Sequence, residues 1–214
     1  GIFLARYSPT GELLWINSFV TEFARDMSVE SGPSGSVAIS GMVGGTIDFG
    51  GGAFSIGPVV RPTDAQLFIA HFASNGDHLW SNVYDQTFLT TARGNLAIDS
   101  ENHVIVTTPA GPGAVFGDTE IERQNSFAIL KFSPDGEMVW VKVLDATPLP
   151  RIVVATGPTN QIYLAGLIDA PVEIDGETID GGGSVDTIDS NGTFMLARLD
   201  SSGNLEWGKA MGGD

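Results

Sequence analysis

A chain of 214 residues, 42% of them hydrophobic, is long enough to bury a sizeable core and too apolar for disorder. Ten Lys and Arg against 26 Asp and Glu give a formal charge of −16, with no basic cluster; nucleic acid and anionic membrane surfaces, which are bound through Lys/Arg patches, are therefore not expected as partners. With no cysteine there are no disulfides, thiolate metal sites or thiol nucleophiles, and no apolar run approaches the roughly 18 residues of a membrane span.

The first nine residues lack the basic and apolar regions of a signal peptide. They read as a strand already under way, so the sequence is expected to begin inside a longer chain. In that strand Phe3, Ala5 and Tyr7 share one face and Ile2 and Leu4 the other; a strand apolar on both sides is expected to be buried on both. The turn Ser8-Pro9-Thr10-Gly11 follows, then a second strand carrying Trp15. Proline presets the second turn position and glycine tolerates positive φ.

The same hairpin returns three times. Phe3 to Trp15 matches Phe68 to Trp80, Ala128 to Trp140 and Met195 to Trp207. Gly11, Gly76, Gly136 and Gly203 each stand four residues before a tryptophan. All four tryptophans of the chain are used, at spacings of 65, 60 and 67 residues. Two residues beyond each lies a polar side chain (Asn17, Asn82, Lys142, Lys209), which a sheet-edge location would explain. Four residues beyond lies an apolar one (Phe19, Tyr84, Leu144, Met211).

Between the hairpins a second block repeats. Ser36 to Gly41, His103 to Thr108 and Gln161 to Gly166 align. Each follows a turn, and the turn follows a short apolar strand, clearest at 96–98 and 152–155. One repeat is thus four strands, A to D, in meander order, with the tryptophan on D. Tandem antiparallel four-stranded units of this length predict an all-β fold, a β-propeller of about three and a half blades. Residues 1–19 form a half blade of strands C and D, and 20–84, 85–144 and 145–214 are whole blades. In that architecture Trp15, Trp80, Trp140 and Trp207, with their turn glycines, dock one blade on the next, each burying about 200 Å² of aromatic surface.

These hairpins resemble bacterial propeller repeats of the seven-bladed SBBP kind, and related repeats in large secreted and lipid-anchored proteins of myxobacteria and their neighbours. The carrying pattern is an apolar strand, then D/S-x-x-G-x-x-x-W, then a Gly-rich stretch such as Gly44 to Gly52. The resemblance implies a secreted or cell-surface location and a scaffold or adhesion role, with protein, glycan or copies of the chain itself as partners. Leu199 to Trp207 is also similar to the tryptophan-docking motif of quinoprotein dehydrogenase propellers. Those enzymes use adjacent cysteines, absent here, so this likeness supports the fold and not the cofactor.

Candidate chemistry concentrates in three long B–C connections, about residues 42–65, 109–125 and 167–192, since loops of such length are often functional. Part of each is expected to form a small extra hairpin, as at 172–180. The third holds Asp169, Glu173, Asp175, Glu177, Asp180, Asp186 and Asp189. Calcium takes six to eight oxygens from such residues, which makes Asp175, Asp186 and Asp189 candidate ligands; the competing reading is a solvated acidic face. Arg6, His71, Lys131 and Arg198 align, one per repeat, either as a basic ring for an anionic ligand or as partners of nearby carboxylates. His78 and His103 show no metal-ligand spacing. Asn191-Gly192-Thr193 has the form of a glycosylation sequon. No G-x-S-x-G, H-E-x-x-H or P-loop is present. The expected function is a non-enzymatic scaffold without a cofactor; a polymer subunit and a polysaccharide-acting enzyme are the alternatives.

Overall fold

In a computed structural model the described residues are 1–61, 64–85, 95–123, 126–145, 151–168, 171–174, 176–179 and 193–211. They form an all-β structure of antiparallel sheets. Strands β1 (Ile2–Tyr7) and β2 (Leu13–Phe19) make a two-stranded sheet. The second sheet runs in the order β3 (Phe23–Ser31), β4 (Val37–Asp48), β6 (Gln66–Phe72), β7 (His78–Tyr84), with β5 (Ala53–Gly57) paired to the far end of β4.

The third sheet has β8 (Asn95–Ile98), β9 (Val104–Ala110), β12 (Ser126–Phe132) and β13 (Met138–Asp145) in order; the fourth has β14 (Arg151–Thr156), β15 (Ile162–Ile168), β18 (Thr193–Leu199) and β19 (Leu205–Met211). Three small hairpins interrupt the meander where the long B–C connections were expected. The first is formed by β4 and β5, the second by β10 (Val115–Phe116) and β11 (Thr119–Glu120), the third by β16 (Val172–Ile174) and β17 (Glu177–Ile179). Successive sheets share cores, and no closed ring or barrel is formed by the described sheets.

The four C–D hairpins are copies of one another. In each, the glycine N–H bonds the carbonyl three residues back, as Gly11 to Ser8, Gly76 to Ala73, Gly136 to Ser133 and Gly203 to Asp200. The glycines sit at φ of 84, 89, 89 and 84°, the left-handed region that a β-carbon disfavours. Each first strand shifts register at the same place: Arg6/Tyr7, His71/Phe72, Lys131/Phe132 and Arg198/Leu199.

Side-chain alternation explains why the sheets stack. On β12, Phe127 and Ile129 join the core shared with the fourth sheet, while Ala128, Leu130 and Phe132 join the core shared with the second. On β6, Leu67 and Ile69 face the third sheet, and Phe68, Ala70 and Phe72 face β1 and β2. Period-two alternation with both sets apolar leaves a strand no stable place except between two sheets. The first strand departs from expectation on one side. Ile2 and Leu4 are buried, but Phe3 is 73% exposed and Tyr7 59%, because no described sheet lies beyond them.

Candidate functional site

The most regular chemistry in the molecule lies where one sheet meets the next. A β-carbon on Gly76 would lie 2.9 Å from the Trp15 ring, one on Gly136 2.6 Å from Trp80, and one on Gly203 3.1 Å from Trp140. These three indoles therefore lie flush on the turn glycine of the following hairpin, where a β-carbon would crowd the ring. Each indole Nε1–H then donates to the carbonyl two residues before that glycine: Trp15 to Ser74 at 3.0 Å, Trp80 to Pro134 at 3.0 Å and Trp140 to Ser201 at 3.4 Å.

The flanking polar positions serve the same contact. Asn17 Nδ2 donates to the Gly76 carbonyl at 2.7 Å and Asn82 Nδ2 to that of Gly136 at 3.1 Å, while the Lys142 methylene stem lies beside Gly203. The residues four beyond are clasped by the small hairpins. Phe49, beyond β4, meets Phe19 at 5.2 Å between ring centroids; Phe116 on β10 meets Tyr84 at 5.6 Å; Leu144 shares a core with Val172 and Ile174. Burial and the nearby Glu137 push the Tyr84 hydroxyl up to about 12. The described parts of the long connections are thus packing devices: β16 even adds to the third sheet, pairing Glu173 with Asp145.

The four aligned basic residues are each the cross-strand partner of a tryptophan: Arg6 with Trp15, His71 with Trp80, Lys131 with Trp140 and Arg198 with Trp207. Their charges are used differently. Arg6 reaches the carbonyls of Gly35 and Ser74 at 3.0 and 2.7 Å, and Lys131 that of Ser201 at 3.1 Å. Arg198 pairs with Glu206. Neither ring nitrogen of buried His71 has a hydrogen-bond partner, and desolvation lowers its pKa. The carboxylate pairing expected as one reading holds at Lys131 and Arg198.

Lys131 marks a cluster that sequence spacing did not reveal. Its Nζ lies 3.1 Å from Asp99 Oδ2, and both side chains are buried. Asp99 stands in the A–B turn where the other two repeats have Gly32 and Gly157, as the matching turn hydrogen bonds show. Its Oδ1 accepts from the Glu101 and His103 backbone N–H groups at 3.0 and 2.9 Å. Burial alone would raise the Asp99 carboxyl, but these bonds and the Lys131 and His103 contacts hold it below its ordinary range. Asp99, Glu101 and His103 also form the one group of metal-ligating side chains among the described residues. With an ammonium 3.1 Å from Asp99, the charge a cation would supply is already there.

A second contact between sheets runs through the A–B turns. Ser34 Oγ donates to Asn102 Oδ1 at 2.7 Å, and Ser100 Oγ to Asn160 Oδ1 at 2.6 Å. Asn102 and Asn160 take the left-handed conformation that Gly35 takes in the first turn. An open groove lies beside the unpaired edge of β1, lined by Leu4, Arg6, Trp15, Val29 and Pro33. The calcium candidates Asp175, Asp186 and Asp189, and Asn191 of the sequon, lie outside the described residues; Glu173 and Glu177 are exposed on β16 and β17. No helix among the described residues is long and apolar enough to cross a membrane. No protein-family model matches the chain, and no curated protein does.

Proposed function

We propose that the chain is a run of β-propeller blades acting as a non-enzymatic scaffold or binding module, secreted or displayed on a cell surface, for protein or glycan partners. The observation that carries this reading is the thrice-repeated contact of a tryptophan on the next turn glycine. The residues that recur in every repeat are spent on holding neighbouring sheets together, which is the task of a repeat architecture. Radial packing of four-stranded sheets buries both faces of each, as the alternating cores of β6 and β12 do here. On this reading β1 and β2 are strands C and D of a blade, the next three sheets are whole blades, and the strands A, at β3, β8 and β14, line the axis.

Two measurements test it. Electron microscopy of the native protein should give class averages with sheets arranged radially about a centre; a straight stack of sheets would overturn the propeller. Protease treatment of intact cells should remove the chain without lysis; protection equal to that of a cytoplasmic marker would overturn the surface placement.

A further inference from the structure

One polar contact on β7 has no counterpart in the other three hairpins. His78 Nε2 and Ser81 Oγ lie 3.0 Å apart. Residues three apart on a regular strand face opposite ways. Here Phe72 pairs with His78 and His71 with Trp80, which leaves Leu79 as an extra residue, and this bulge turns His78 to the same face as Ser81. The same register shift occurs in every hairpin, but the two positions hold Leu13 and Ile16, Met138 and Val141, and Leu205 and Gly208 elsewhere. Packing at this place is met by apolar or small residues. A base beside a hydroxyl is an addition in one repeat alone.

The small hairpin of the same repeat roofs the pair. A β-carbon on Gly50 would lie 2.9 Å from His78 Cβ, and one on Gly51 2.5 Å from Cε1 and 3.2 Å from each ring nitrogen. The imidazole also meets the Phe72 ring edgewise, with centroids 6.0 Å apart and planes at 75°. Gly51 and Phe72 thus fix the ring with one nitrogen on the hydroxyl. Asp48 opens the roofing turn, its Oδ1 accepting from the Gly50 and Gly52 N–H groups at 2.7 and 3.1 Å. Burial holds the His78 imidazole below its ordinary range, against the smaller pull of the Asp48 charge. The ring is therefore neutral at neutral pH; with its proton on Nδ1, Nε2 accepts from the Ser81 hydroxyl. Both side chains are half-buried, and neither is sealed from solvent.

We propose that Ser81 is a nucleophile activated by His78, a site of covalent acylation by esters with good leaving groups. Ser81 Oγ attacks the acyl carbonyl as its proton passes to His78 Nε2. The bond to the leaving alcohol then breaks, and that oxygen takes the proton back from His78. The acyl group stays on Ser81 and the neutral imidazole is restored. The Asp48 carboxylate favours the imidazolium that forms in between. Activated esters are the class that fits, because their leaving groups depart without the full array of oxyanion donors that an enzyme site provides. The inference goes beyond the scaffold reading and does not depend on it.

Treatment of the 214-residue chain with p-nitrophenyl acetate at neutral pH, followed by proteolysis and peptide mass mapping, tests it. Acetyl should accumulate on Ser81 ahead of the other serines. Hydroxylamine should remove it, as it removes an ester and not an acetylated lysine. His78→Met and Ser81→Val install the residues of the third repeat, so both chains should keep their circular dichroism. His78→Met should slow acetylation of Ser81 about a hundredfold, the low end of what a positioned base contributes, and Ser81→Val should abolish the label in that peptide. Acetyl spread evenly over the exposed serines, or a His78→Met chain labelled as fast as the wild type, would overturn the inference and leave the pair a hydrogen bond that only satisfies two half-buried groups.

Discussion

The internal seam predicts a large difference between chemically identical substitutions. Trp80 is 7% exposed, lies on Gly136 and donates to Pro134. Burying about 200 Å² of aromatic surface at about 25 cal/mol per Å² is worth about 5 kcal/mol. Truncations of buried aromatics cost about 3–5 kcal/mol, which agrees. Trp80→Ala should therefore lose about 4 kcal/mol, a large share of the 5–15 kcal/mol a typical domain has. Trp207, half-buried and with no described sheet beyond it, should lose about 1–2 kcal/mol. Trp15 and Trp140, half-buried, should fall between. Urea unfolding of the four alanine variants, followed by circular dichroism at concentrations where the chain is monomeric, gives the series. Equal losses at Trp80 and Trp207 would refute the argument, because the two differ in what covers them and not in the residue removed.

Gly136→Ala and Gly113→Ala impose alanine at nearly the same backbone angle, φ 89 and 85°, but only the first meets a neighbour, with Trp80 atoms at 2.6–2.9 Å. Urea midpoints should show Gly136→Ala costlier by at least about 1 kcal/mol, the clash beyond the shared backbone strain. Lys131→Met strands the buried Asp99 carboxylate and should cost about 3 kcal/mol at neutral pH. In the wild type the folded-state pKa of Asp99 is depressed, so its contribution is complete above the unfolded value of about 4 and is lost as pH falls through the folded one. In Lys131→Met burial dominates, and the deficit should shrink on acidification as Asp99 protonates. His71 behaves oppositely to a paired histidine. Its folded pKa is lowered by burial, so the unfolded chain takes up the proton first and stability falls as pH drops below about 6.5. His71→Leu should flatten the dependence of the urea midpoint on pH between about 7.5 and 5.5.

The four-stranded meander was legible because strand alternation, turn glycines and tryptophans recur in phase, and each is a local signal. What was not legible depends on residues distant in the chain. Asn17 is polar on an otherwise apolar hairpin, and its reason lies 59 residues on, at the Gly76 carbonyl. Lys131 looked like one of four equivalent bases, yet its counter-ion exists in one repeat alone, because Asp99 replaces the glycines at 32 and 157. His103 showed no ligand spacing in the sequence, and its contact with Asp99, four residues back, matters because the packed sheets bury that carboxylate. The long B–C connections suggested binding loops by length alone; Phe49, Phe116 and Ile174 give their described parts a packing reason instead. The exposed faces of Phe3 and Phe194 depend on which sheets are present, which alternation within one strand does not encode.

The central claim is that the indoles of Trp15, Trp80 and Trp140 are locked onto the following turn, a contact that Trp207 does not make among the described residues. Hydrogen exchange of the four indole N–H groups, read by nitrogen-15 NMR and assigned with Trp→Phe variants, tests it most directly. The account predicts slowed exchange at Trp15, Trp80 and Trp140, slowest at the buried Trp80, and faster exchange at Trp207 than at these three. Four indoles exchanging alike, or Trp207 among the protected ones, would contradict it.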